Sequence, residues 1–112
     1  MADFTKADRK HLVEIIRKGN LARYKEWLDE MNELINKPFE DDKENEFDRC
    51  MEVTKAAKDF YKEAMRREGC YQNNWMLIGI EGLLHEGYIT QEDLEPLSNE
   101  LKSRFQNSFL SD

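Results

Sequence analysis

Residues 75–94 read WMLIGIEGLLHEGYITQEDL, and this run decides the fold class. Met76, Leu77, Ile78, Ile80, Leu83 and Leu84 cover most of the circumference of a helix over 75–86, as a central, largely buried element requires. Gly87 supplies a left-handed stop, Thr90 caps the next helix with Asp93 three residues on, and Ile89 is placed to clamp Leu94. The spacing predicts a tight helical hairpin, a turn that recurs in unrelated helical proteins and marks no family. Gly79 and Gly82 each cost an interior helix about 1 kcal/mol relative to Ala. A close neighbour must offset that cost: another helix by preference, otherwise a small ligand on bare backbone, with Tyr71, Trp75 and Tyr88 as a conceivable lining.

Downstream, Pro96 cannot donate to the carbonyl of Glu92. The stripe Leu94, Leu97, Leu101, Phe105 and Phe109 nevertheless continues across it. Two helical pieces on one face, kinked or restarted near Pro96, are expected out to about residue 108.

Upstream, one long helix is predicted over about 42–68, carried by Phe47, Cys50, Thr54, Ala57, Tyr61 and Ala64 at alternating spacings of three and four. Twenty-seven residues make it roughly 40 Å long, which is long for a single-domain chain of 112 residues. Asp41 or Asp42 is the expected cap, Gly69 the stop, and Asn73 or Asn74 the cap of the helix after it. The acidic run Glu40 to Asp48 suits a helix start, where carboxylates face the positive end of the dipole. A calcium loop beginning at Asp41 fails because Lys43 stands where a ligand belongs and Glu46 where the turn glycine must be.

The amino-terminal third reads as two helices. Thr5 with Asp8 has the form of a capping box, and Leu12, Val13, Ile15 and Ile16 make an apolar face over 6–18. Gly19 offers a stop and Asn20 a fresh cap, so a second helix is predicted over 21–36, with Leu21, Tyr24, Leu28, Met31 and Ile35 as its stripe and Trp27 and Leu34 beside it. Val and Thr together number five, whereas strong helix formers dominate the chain. The fold class is all-α: a compact four- to five-helix bundle in a single domain, 1–112, arranged around the helix at 75–86.

Charge narrows the function classes. The chain carries a formal −7, distributed as +1 over residues 1–37, −5 over 38–54, +2 over 55–70 and −5 over 71–112. Duplex nucleic acid is bound by basic surfaces, and a helix-turn-helix reading around Gly87 would start its recognition helix with Glu92, Asp93 and Glu95 against phosphates. Direct nucleic-acid binding is therefore not expected. No apolar run reaches the 18 to 20 residues, roughly, that a membrane span needs, and the amino terminus has no basic segment followed by an apolar one. Cys50 and Cys70, on or beside one long helix, are too far apart to bridge. A cytoplasmic protein with reduced thiols is expected, with Cys50 packed as a small hydrophobe and Cys70 more exposed.

Catalytic chemistry has no candidate constellation. His11 comes three residues after Asp8 and His85 four after Glu81, but there is no Glu-x-x-His unit and no third ligand in register. Nucleophile elbow, phosphate loop and Cys-x-x-Cys are all lacking. No enzyme, metal or cofactor is expected. There remains an interaction module, for three reasons: a thin core, a helix long for its domain, and small residues along that helix that would let another helix approach. The expected partner is a second copy, making a homodimer, and the expected contact residues are Thr54, Ala57, Lys58, Tyr61, Lys62 and Ala64. Lys55, Lys58, Lys62 and Arg66 share a face that reads first as solvated, with local pairs Asp59 to Lys62 and Glu63 to Arg67. The alternative is a small acidic regulatory protein that captures a basic partner, such as a nucleic-acid-binding protein, through its two carboxylate-rich segments.

Overall fold

A computed structural model describes residues 4–110, with side chains through 105; Phe109, the last member of the carboxy-terminal stripe, lies outside the described side chains. The described residues form four α-helices, α1 (Lys6–Asn36), α2 (Glu46–Glu68), α3 (Met76–Glu86) and α4 (Asn99–Leu110), with 3-10 turns at Gly69–Tyr71 and Gln91–Leu94. No strand occurs among the described residues. The fold is all-α.

Gly19 does not end a helix, contrary to the expected stop. Helix α1 runs through it without a break for 31 residues, about 46 Å. Gly19 faces Leu83 and Ile89 so closely that a Cβ would lie 2.6 Å from Leu83 Cδ1. The glycine serves a helix crossing. Asn20 does not cap a new helix either. It is 2% exposed, and its Nδ2 donates to the carbonyl of Arg67 at 3.1 Å, satisfying an acceptor in the last turn of α2.

The ends of the helices are held by side chains from elsewhere. Thr5 accepts from the amide of Asp8 at 3.0 Å as expected, but the Asp8 carboxylate reaches across the fold to the amide of Ser98 at 2.9 Å. Arg49, in the first turn of α2, donates to the carbonyls of Leu34 and Lys37 at 2.7 Å each and lies over the Phe39 ring. One buried cation thereby closes the carboxy terminus of α1. The cap of α2 is Asn45, in a reciprocal box with Asp48, and not Asp41 or Asp42. Asp41 instead takes a left-handed turn conformation at φ 48°, which Asp tolerates better than most residues. Helix α3 starts after Trp75 with no side-chain cap from Asn73 or Asn74.

At Gly87 the expected stop is present, with φ 85° and amides of Gly87 and Tyr88 returning to Leu84 and Leu83. Thr90 and Asp93 form their box, but the box opens a 3-10 turn in place of the predicted helix. Glu95 and Leu97 each bond three residues back, to Glu92 and Leu94, and α4 restarts at Asn99. Pro96 interrupts the ladder at the point where its missing donor is needed.

Core residues come from α1 (Leu12, Ile15, Ile16), α3 (Met76, Ile80, Leu83, Leu84), the turn after it (Ile89, Leu94, Leu97) and α4 (Leu101, Phe105). Helix α2 contributes no apolar side chain to it; its buried residues are Arg49 and Arg67. The expected compact bundle is therefore corrected to two parts. A head gathers around α3, and the second half of α1 pairs antiparallel with α2 to form an arm that extends from it. The molecule measures 60 × 24 × 21 Å with a radius of gyration of 18.2 Å, against about 13 Å for a compact chain of this size.

Candidate functional site

The arm is organised by Phe60. Trp27 stacks on its ring at 4.5 Å, Tyr24 meets it edge-on at 5.9 Å, and the Arg23 guanidinium lies 5.1 Å above it. Around this centre the inward residues of α2 are Arg49, Val53, Ala56, Phe60, Glu63 and Arg67, half-buried or buried at spacings of four and three, with Ala64 half-buried beside them. The predicted stripe through Phe47, Cys50, Thr54 and Ala57 is consequently turned away from α1. Phe47 is 67% exposed, and Cys50 is exposed as well.

One flank of the arm, on the side of the head, is ionic. Arg23 Nε and Arg67 Nε both donate to Glu63 Oε2, at 2.7 and 2.8 Å. Arg67 also holds Glu86 at 3.0 Å and lies over Tyr88, whose hydroxyl donates to Glu26. The bond from Arg23 pulls the Glu63 carboxyl down to about 2 against the opposing effect of burial, with Arg67 assisting. In the unfolded chain the same carboxyl titrates near 4.5. A depressed carboxylate stabilises the fold fully above the unfolded value and progressively less as pH falls towards the folded one, here a contribution of up to about 3 kcal/mol. Urea denaturation from pH 5 to about 2 should show a falling midpoint in the wild type and a shallower fall in Glu63→Gln; parallel slopes would contradict this role.

The other flank has a different character. At 100° per residue, Leu21, Leu28 and Ile35 point about 90° from the α2-facing line of α1, and Cys50, Ala57 and Ala64 lie about as far round α2. The Tyr24 hydroxyl donates to Glu68 at 2.6 Å, and Leu21, Tyr24 and Glu68 line one shallow depression with Val13, Arg17 and Tyr71. Those contacts put the two rows on the same side. Leu21, Leu28 and Ile35 are 57%, 61% and 57% exposed, and Tyr61 is 65% exposed. Between Cys50 and Ala64 every charged residue points about 90° or more away from the Ala57 direction. Between Leu21 and Ile35 the nearest charge on α1 is Lys25, paired with Asp29 at 3.1 Å, and Arg17 bounds the row at the head end.

This flank brings together four of the six residues expected to contact a partner. Thr54, Ala57 and Tyr61 are exposed on it, and Ala64 is half-buried at its inner edge. Lys58 rises on the outer ridge of α2 and Lys62 falls on the far side, by the helical period. The expected Glu63–Arg67 pair forms at 2.8 Å, whereas among the described residues Lys62 makes no ion pair with Asp59. Leu21, Leu28 and Ile35 belong to the surface too; their spacing of seven signals it, once Trp27 and Leu34 take the inward positions.

The remaining candidates are dispersed over the head. Cys70 packs half-buried against the core, and burial pushes its thiol up, the reverse of the expected order of the two cysteines. Gly79 lies against Cys70, 2.8 Å from a would-be Cβ, whereas Gly82 opens on space. Beside them is an open cleft of about 570 Å³ lined by Met65, Trp75, Ile78 and Gly82 among others, but not by Tyr71 or Tyr88. His11 lies 4.0 Å from Glu14 rather than pairing with Asp8. No group of three His, Cys, Asp or Glu could hold a metal ion among the described residues, and no described helix is long and apolar enough to cross a membrane. Among the described residues the two acidic segments lie apart: 38–54 runs from the tip of the arm into α2, and 71–112 falls on the head, where Glu86 pairs with Arg67 and Asp93 with Lys18. The geometry defines the class as an all-α protein with a head and a two-helix arm. No family model, curated protein or solved structure matches the chain.

Proposed function

We propose that the chain is a non-catalytic self-associating module, in which two arms pair through Leu21, Leu28, Ile35, Cys50, Thr54, Ala57, Tyr61 and Ala64 into a four-helix bundle. One observation carries the reading: an apolar row on each helix, aligned on one flank, with charged side chains turned elsewhere. A permanently solvated helix face normally carries charges, and a contiguous apolar patch rimmed by polar groups is the usual mark of an interaction surface. Small residues on α2 let a second helix approach closely while Leu and Ile on α1 supply the apolar area. Association also offsets what the head leaves out, because α2 adds no apolar side chain to the core and small domains often gain stability from a partner.

Sedimentation equilibrium over a range of concentrations tests the proposal. A reversible dimer with a dissociation constant in the micromolar range or below is expected. A single monomer mass up to high micromolar concentration would exclude it.

A further inference from the structure

We propose, resting on the self-association just described, that the two copies pair head to tail, with the acidic tip of each arm seated on the amino-terminal half of the other copy's α1. Two two-fold arrangements bring the same flank of two arms together. An axis along the arm places both heads at one end and both tips at the other. An axis across the arm places each tip beside the second copy's head.

Charge selects between them. The tip segment 38–54 carries −5, with Glu40, Asp41 and Asp42 exposed. An axis along the arm would set two such segments side by side, within a Debye length of about 10 Å. An axis across it separates them and brings each towards cations of α1. At 1.5 Å per residue the tip lies roughly 13 to 20 Å beyond Leu28, which is the level of residues 15–19 on the second copy. The shallow depression there is lined by Val13, Arg17, Leu21, Tyr24, Tyr71 and Glu68, whose carboxylate is held by the Tyr24 hydroxyl, and the one adjoining it adds the cations Lys6, Arg9 and Lys10 against the single carboxylate of Glu14. Phe39, 42% exposed at the tip, is the apolar group that such a depression fits, and its acidic neighbours face the cations.

Packing agrees with charge. The Trp27–Phe60 stack sets Leu28 level with Asp59, so an axis through that level places Leu28 against its own counterpart and Leu21 against Ile35. On α2 it places Ala57 against Tyr61 and Thr54 against Ala64. Each α2 contact then sets a small side chain against a larger or equal one, as interdigitating layers require.

Carbodiimide cross-linking of the wild-type protein, read by mass spectrometry, tests the arrangement. Lys10 and Lys18 lie at least 18 residues of helix, about 27 Å, from the tip of their own arm. Any zero-length link from either to Glu40, Asp41 or Asp42 must therefore join two copies. Such links are expected, together with a dissociation constant that rises about tenfold between about 50 mM and 500 mM salt as the complementary ends are screened. A dimer that lacks these links, or that tightens with salt, overturns the head-to-tail pairing while leaving self-association intact. A chain that sediments only as monomer overturns both.

Discussion

Leu28→Asp should abolish self-association and leave the monomer folded. In the monomer Leu28 is 61% exposed, so the substitution costs only a few tenths of a kcal/mol in helix propensity. In the dimer it removes a buried leucine worth about 2 kcal/mol and introduces a carboxylate with no partner, once in each copy. A loss of at least about 4 kcal/mol raises the dissociation constant by about a thousandfold or more. Sedimentation equilibrium reads the association, and urea denaturation at low protein concentration reads the monomer. Lys62→Asp, on the far side of α2, should change neither by more than a small factor. Equal dissociation constants for Leu28→Asp and wild type would move the interface off this flank.

Gly19→Val is the substitution expected to damage the monomer most. A Cβ at this position lies 2.6 and 2.9 Å from the two terminal carbons of Leu83 and 3.0 Å from Ile89 Cγ2, and both neighbours are buried in the core. Valine adds two further methyl groups, so α3 must move off α1 or Leu83 must leave its rotamer, at a cost of about 3 kcal/mol. For a domain of about this size each kcal/mol shifts the melting temperature by roughly 4 to 8 °C. Gly82→Ala should act in the opposite direction. Its Cβ meets nothing, and replacing an interior helical glycine gains about 0.5 to 1 kcal/mol. Calorimetry on the pair checks the sign at each site, and a wild-type melting temperature for Gly19→Val would contradict the close crossing of α1 and α3. Gly79→Ala is a poor probe of the neighbouring cleft, because its Cβ would strike Cys70 at 2.8 Å and confound ligand loss with repacking.

Several local signals in the sequence carry through to the structure because their causes are local. The Gly87 stop, the Thr90–Asp93 box and the break around Pro96 depend on backbone conformations and donors within a few residues, and each is present. The apolar circumference of α3 likewise makes it central. Gly19 misleads for the same reason: a glycine is compatible both with a helix stop and with a close helix crossing, and only Leu83 and Ile89, far along the chain, decide which. Periodicity misplaces the phase of α2 because the inward row of that helix includes Arg49, Glu63 and Arg67. Charged side chains are assigned to solvent by hydrophobic spacing, yet here they bond carbonyls at the end of α1 and carboxylates across the arm. Of the small residues on α2, Thr54 and Ala57 are exposed, as is Tyr61 beside them, whereas Ala56 and Ala64 are half-buried.

By itself the sequence determined the all-α class, the central helix and the turn after it. Each is a property of spacing or of backbone chemistry within a few turns of helix. Tertiary structure alone decided that α1 is continuous, that the chain divides into head and arm, and that Leu21, Leu28 and Ile35 share a flank with Ala57 and Tyr61. The physical reason is that a helix with apolar residues on more than half its surface can bury any of several faces. The choice among them is made by distant partners: Leu83 against Gly19, Asn20 on the Arg67 carbonyl, and Phe60 between Trp27 and Arg23.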